Sequence, residues 1–195
     1  NTIVIPTLIN IHNNNSNEIK KYKDISIVWI GTPTTIKYLE ILMPTLLKLR
    51  QKINFKLVII GGKLNKYFEF VEYYEWSEKN ELKILKSCHI GIMPLDNSTW
   101  SKGKCGLKIL QYMASSLPVV VSDIGANKDI VKHNFDGYLA QNEKEWIEYL
   151  TKLITNDLLR EKLGKNGFTK VANQYSYKSN FFKYLDFLEI NENYK

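Results

Sequence analysis

ISIVWIGTPTTIKYLEILMPTLLKLR, residues 25–50, is the stretch on which the fold turns. Its first six residues form a compact apolar run rich in β-branched side chains, as a buried strand requires. The run ends at GTPTT, where glycine, proline and threonine announce a turn and a helix cap, and a helical pattern continues to Arg50. Pro44 lies inside that pattern and is expected to kink or break it, because proline removes one donor and clashes with the preceding turn.

The same unit returns along the chain. FKLVII (55–60) ends at Gly61 and Gly62, YFEFVEY (67–73) follows, and a helix capped at Ser77 runs through ELKILKS. HIGIMPL (89–95) and PVVVSD (118–123) read as further buried strands, IGANKDIVKH as a turn into a short helix, and GYLA as a last short strand. Amphipathic patterns over 142–155, 157–173 and 177–190 complete the chain. Strands alternating with helices predict a Rossmann-like, doubly wound α/β domain, a parallel sheet with helices on both faces. Ligands of such sheets collect beyond the carboxyl ends of the strands. GTPTT, GGK, DNSTWSKGKCG and IGAN all belong on that edge.

Composition bounds the partners. The 195 residues are 44% hydrophobic and carry a formal net charge of +7, which favours phosphate-bearing molecules, polyanions or anionic headgroups. There is no basic tract, Arg-rich helix or RNP-type aromatic pattern, so nucleic acid is not expected as a partner. No apolar run approaches the roughly 18 residues that span a bilayer, and the lack of an initiating Met or signal pattern reads as a portion of a longer protein. Cys88 and Cys105 stand apart, which suits a reducing cytoplasm. His12, His89 and His133 lack metal-ligand spacing, and no metal site is expected. Residues 1–24, with the polar stretch HNNNSNEIKKYKD, read as a linker or interdomain segment, and 25–195 as the folded domain.

WSKGKCGLKILQYMA, residues 100–114, crowds Lys102, Lys104 and Lys108 where a helix is expected to begin. Cations are mildly disfavoured there, so an anionic ligand would resolve the conflict. Spacings of four and three put Lys104, Lys108 and Gln111 on one helical face. Backbone N–H groups from Gly103 through Gly106 to Leu107 are candidate phosphate donors. An exposed lysine face with a flexible glycine turn is the plainer reading of the same residues. In GTPTTIK, Thr32 or Thr34 either caps a helix or meets a ligand, and Lys37 either adds a cation or is simply exposed. Neither a GxxxxGK[ST] loop nor GxGxxG is present.

WIGTPTTIKYLE, HIGIMPL, WSKGKCGLKILQYMASSLPVVVSDIGANKDIV and DGYLA together resemble the C-terminal, donor-binding half of retaining GT-B glycosyltransferases of family 4, the glycosyl transferases group 1 set. The resemblance implies that this domain binds a nucleotide diphosphate sugar, with an N-terminal acceptor domain preceding the chain. By position it assigns Gly31 and Lys37 to the donor diphosphate, with Lys104 or Lys108 as the second cation, since Thr32 stands where many relatives have arginine. The family's two glutamates fall at positions occupied here by Gly103 and Gln111; Gln111 can still bond ribose hydroxyls, whereas Gly103 offers no carboxylate to the donor sugar. Asp129 matches an acidic residue after the last crevice turn and is equally a capping or surface charge. Trp76 and Trp100 could stack on a base, although packing beneath a loop is the commoner fate of large aromatics. Tyr175, Tyr177 and Tyr184 read as core-facing stripes, with some apolar surface of the final helix left for the other domain. The expected activity of the whole protein is sugar transfer with retention, without an obligatory metal or cofactor, in the cytoplasm and in possible peripheral contact with a membrane. The isolated chain is expected to be inactive. The alternatives are a non-catalytic nucleotide- or phosphate-binding module and a GT-B sugar-nucleotide epimerase.

Overall fold

The structure, a computed structural model, describes residues 6–11 and 19–187. His12, the rest of the expected linker over 1–5 and 12–18, and the end of the expected last helix over 188–190 lie outside the described residues. Strands β1 (Ser26–Ile30), β2 (Lys56–Ile60), β3 (Val71–Tyr74), β4 (Ile90–Met93), β5 (Val119–Ser122) and β6 (Gly137–Ala140) pair in the order β3-β2-β1-β4-β5-β6. Every pairing is parallel. Helices α1 (Ile36–Arg50), α2 (Glu78–Ser87), α3 (Thr99–Lys102), α4 (Leu107–Ala114), α5 (Asn127–Ile130), α6 (Glu143–Thr155), α7 (Asp157–Gln174) and α8 (Tyr177–Phe187) complete the described elements. This is the Rossmann-like doubly wound sheet that the alternation predicts.

Side-chain alternation divides each strand between two cores. Ile27 and Trp29 of β1 join Leu57 and Ile59 beneath α1 and α6, where Leu39, Leu46, Leu150 and Leu153 are buried. Val28 and Ile30 join Val58, Val119 and Val121 beneath α2, α4 and α7. Each such side chain contributes about 1.5–3 kcal/mol on full burial, so both faces need their helices.

That burial also explains Pro44. α1 runs unbroken from Ile36 to Arg50 rather than breaking there. Leu39, Leu42, Met43, Leu46 and Leu49 dock on the sheet, and this outweighs a local penalty of about 3 kcal/mol. Pro44 itself is on the exposed side, where water can reach the carbonyl deprived of its donor.

The described parts of the N-terminal segment lie against the body. The Ile9 N–H donates to the Tyr175 carbonyl at 2.9 Å, the Tyr22 N–H to that of Ser87 at 2.9 Å, and Lys21 to that of Cys88. Burial lowers the Lys21 pKa to about 8. Helix α7 approaches α4 closely through two glycines: a Cβ on Gly164 would lie 2.2 Å from the Ser116 carbonyl oxygen, and one on Gly167 3.0 Å from Met113. The terminal tyrosines are less uniform than their spacing predicts. Tyr175 and Tyr184 are half-buried, whereas Tyr177, Phe181 and Phe182 of α8 are exposed. No helix among the described residues is long and apolar enough to cross a membrane.

Candidate functional site

The centre of the sheet is its topological switch point, where the connections leaving β1 and β4 diverge. Their ladder is registered only at Ile27↔Ile90 and Val28↔Gly91. Beyond it the Tyr112 hydroxyl bridges the strands, accepting from the Ile30 N–H at 2.9 Å and donating to the Ile92 carbonyl at 3.2 Å. Gly91 makes room for this ring, since a Cβ there would lie 2.5 Å from it. The loops after β1 and β4 therefore leave from either side of a fixed tyrosine.

Just past β1, Gly31 is a steric necessity: a Cβ would sit 2.3 Å from the Trp29 ring. That indole carries the Lys108 ammonium at 4.6 Å from a ring centroid. The next ring, Tyr38, has Lys104 at 5.0 Å and Lys37 at 5.3 Å. Desolvation, then repulsion from Lys104, lowers the Lys108 pKa to about 8. Asp96, in the loop after β4, is held below the usual carboxylate range by hydrogen bonds from the Ser101 and Ser98 hydroxyls, with Lys37 assisting. Three ammonium groups from two chain segments thus gather on aromatic faces beside Gly31.

The lysine-rich segment differs from its expected form. It is two helices, not one, with Gly103 to Gly106 between them. Lys102 ends α3, where a cation is favoured, Lys104 lies in the connection, and only Lys108 occupies the first turn of α4. The Gly103 and Lys104 amides are committed to the Thr99 and Ser101 carbonyls at 3.2 and 3.3 Å, so the candidate anion donors narrow to the start of α4. Gly106 turns the chain with φ 73°, and a Cβ on it would meet Ile130 at 2.2 Å. Burial works upward on the exposed Cys105 thiol, but hydrogen bonds from the Leu107 amide, the Thr7 hydroxyl and its own amide, with Lys104 close by, leave it below the usual value.

Gln111 is not turned with Lys104 and Lys108 towards a common partner, as the helical spacing predicts. Its amide donates to Glu81 of α2, and the other Glu81 oxygen accepts from Trp76 Nε1 at 2.5 Å. Glu81, Gln111, Leu107 and Glu78 line a cavity of about 360 Å³ between α2 and α4, with residues 7–10 and Tyr177 completing its wall. Trp76 and Trp100 are 58% and 75% exposed, so neither is packed beneath a loop. Trp100 lines an open depression of about 740 Å³ with Lys104, Cys105, Gly106 and Lys108. Asp129 is exposed in α5 and lines a neighbouring depression with Lys102, Gly103, Lys104 and Asp123. Thr32 does not cap α1; its hydroxyl bonds Thr34 at 2.8 Å, while Thr35 precedes the helix.

A family model described as glycosyl transferases group 1 matches residues 24–156. The chain belongs to this family. An uncharacterized glycosyltransferase of Methanocaldococcus jannaschii, MJ1607, is 26% identical over 166 residues, 77% of this chain and 41% of that protein. An Escherichia coli UDP-Gal:alpha-D-GlcNAc-diphosphoundecaprenol alpha-1,3-galactosyltransferase is 30% identical over 95 residues, 48% of this chain and 23% of that enzyme. Among solved structures, Staphylococcus aureus TarM, crystallised as a mutant with UDP and other ligands, superposes with TM-score 0.73 at 21% identity, covering 92% of this chain and 38% of TarM. The C-terminal domain of a Francisella tularensis glycosyl transferase group 1 protein, LpcC, gives 0.63 at 17% identity and is matched over 98% of its length, 86% of this chain. The chain therefore spans about two fifths of the archaeal relative and of TarM, but nearly all of an isolated C-terminal domain.

Within this glycosyl transferases group 1 chain, the structure brings Gly31, Lys37, Lys104 and Lys108 to one rim and sets Gln111 and Trp76 on a second, joined through Glu81. Sequence reasoning missed Trp29, Tyr38, Tyr112 and Glu81. A glycine two residues after an aromatic strand residue was a usable signal for Trp29. Nothing in the linear spacing links Glu81 to Gln111, thirty residues away.

Proposed function

We propose that this chain is the donor-binding part of a glycosyltransferase that moves a sugar from a nucleoside diphosphate sugar to a glycan or lipid-linked acceptor with retention. Residues 25–195 form the donor domain, 1–24 the connection to it, and an acceptor domain precedes the chain. The reading is carried by the gathering of Lys37, Lys104 and Lys108 on Trp29 and Tyr38, beside Gly31 and the first amides of α4. As the glycosidic bond breaks, negative charge grows on the departing diphosphate, and fixed cations with helix N–H groups stabilise that charge more than they stabilise bound substrate. Lys108 is still mostly charged at pH 7, and an incoming anion compensates its desolvation. These cations supply positive charge without an obligatory metal. Thr32 lines the β1 side, Trp100 and Asp129 the outer side, and Gly103 leaves the sugar without a carboxylate from that position. Sugar nucleotides place the reaction in the cytoplasm, and a lipid-linked acceptor would bring the protein to a membrane surface.

Calorimetric titration with UDP, GDP and ADP tests the reading. At least one is expected to bind, and Lys104→Ala and Lys108→Ala are each expected to weaken it about tenfold, the scale of a charge-assisted hydrogen bond. Failure of all three to bind folded protein overturns it. Gly103 and Gln111, in place of two acids, favour a second reading, a phosphate-binding module without chemistry. Assaying the full-length protein with a panel of sugar nucleotides decides between them, since transfer or hydrolysis rules out the second.

A further inference from the structure

We infer that Glu81, on α2, is the carboxylate that reads the ribose diol of the donor, with the exposed face of Trp76 beneath the base. The inference rests on the donor reading above and names the residue that fixes the nucleoside end of the same site. Five close approaches link the second rim to the first. A Cβ on Gly61 (φ 80°) would lie 2.5 Å from the Gly31 carbonyl oxygen and 3.2 Å from Trp76 Cβ, so the ends of β1, β2 and β3 meet at the tryptophan. From there Trp76 Nε1 donates to one Glu81 oxygen, Gln111 Nε2 donates to the other, and Gln111 lies one helical turn from Leu107, at the front of α4. The rim thus runs from the glycine beside the cations back to the amides beside the cations, which is the path of a nucleoside attached to a diphosphate.

Chemistry selects the ligand class. Each carboxylate oxygen has two acceptor positions, and the indole and amide fill one on each, leaving a pair of parallel acceptors for two vicinal hydroxyls. Both donors also fix the carboxylate's orientation in advance. Glu81 is not needed to cap its helix, because the Ser77 hydroxyl accepts the Asn80 N–H. A half-buried carboxylate near a diphosphate site is electrostatically adverse to the anion, so its presence calls for a compensating contact.

The test is calorimetry with UDP, GDP and ADP and their 2′-deoxy counterparts on the parent chain and on Glu81→Gln, with melting curves for both. The parent is expected to prefer the ribonucleotide about tenfold, and Glu81→Gln to lose that preference by weakening the ribonucleotide alone. A carboxylate that merely ties α2 to α4 gives a different sign: removing its charge would tighten both ligands, or loosening the tie would weaken both equally. Either result, or a retained preference, overturns the inference while leaving the donor reading intact. Absence of binding by every nucleotide overturns both. Should Glu81→Gln fail to fold, Trp76→Phe carries the test, since it removes the indole N–H and keeps an aromatic face; an undiminished ribose preference there overturns the inference equally.

Discussion

Lys108 couples ligand binding to stability with opposite signs. Its folded pKa, lowered by desolvation to about 8, lies below the unfolded value near 10.5, so the unfolded chain holds the proton more tightly. Its charge therefore opposes folding below pH 8, and the penalty is relieved as pH rises towards the unfolded value. Anion binding needs the charged form and should fall over the same range. Diphosphate affinity is expected to drop as pH rises through about 8, and binding at pH 8 to take up protons, read from the dependence of calorimetric enthalpy on buffer ionisation. Lys108→Met should raise the melting temperature by about 2–4 °C while weakening the ligand, the shift typical of 1 kcal/mol in a domain this size. The two cysteines should also separate: exposed Cys105, with its lowered pKa, is expected to take iodoacetamide before buried Cys88, whose thiol burial pushes up to about 12, as peptide mass spectrometry would show.

At the scale of elements, the strand–helix alternation was legible because apolar runs of four to six residues end at glycine, proline or a capping side chain. The caps at Ser77, Asn142 and Asn156 are made as such residues predict. The division of the lysine-rich segment was not legible, because Leu107, Leu110 and Met113 supply helical period only from 107 onward. The preceding turn is ended by a left-handed Gly106 that periodicity cannot register. Gly106→Ala should therefore destabilise the chain by about 1–3 kcal/mol in urea melts, from backbone strain and collision with Ile130. Tyr112→Phe should cost a similar amount, about 1–3 kcal/mol, by leaving the Ile30 N–H and Ile92 carbonyl without their hydroxyl. Tyr112 was not legible in the sequence, because its role depends on where the β1–β4 ladder stops, a property of the assembled sheet.

Across the whole molecule, the convergence of loops at the carboxyl edge was foreseeable from the parallel class, and Gly31, Lys37, Lys104 and Lys108 come together there from segments some seventy residues apart. Their division into two rims was not foreseeable, since it depends on α2 and α4 lying side by side. Phe181 and Phe182 of α8 are exposed, while Tyr177 at its start lines the cavity with Glu81 and Gln111. Phe181→Ser with Phe182→Ser should leave urea-melt stability within about 0.5 kcal/mol, as for surface substitutions generally. The glycines of α7 bear on the site from behind. Because Gly164 and Gly167 let that helix sit directly on Ser116 and Met113, the rear of α4 is held by close packing. On the donor reading proposed above, a helix seated this way holds its first amides in place before a diphosphate arrives, so that little of their attraction is spent on moving the protein.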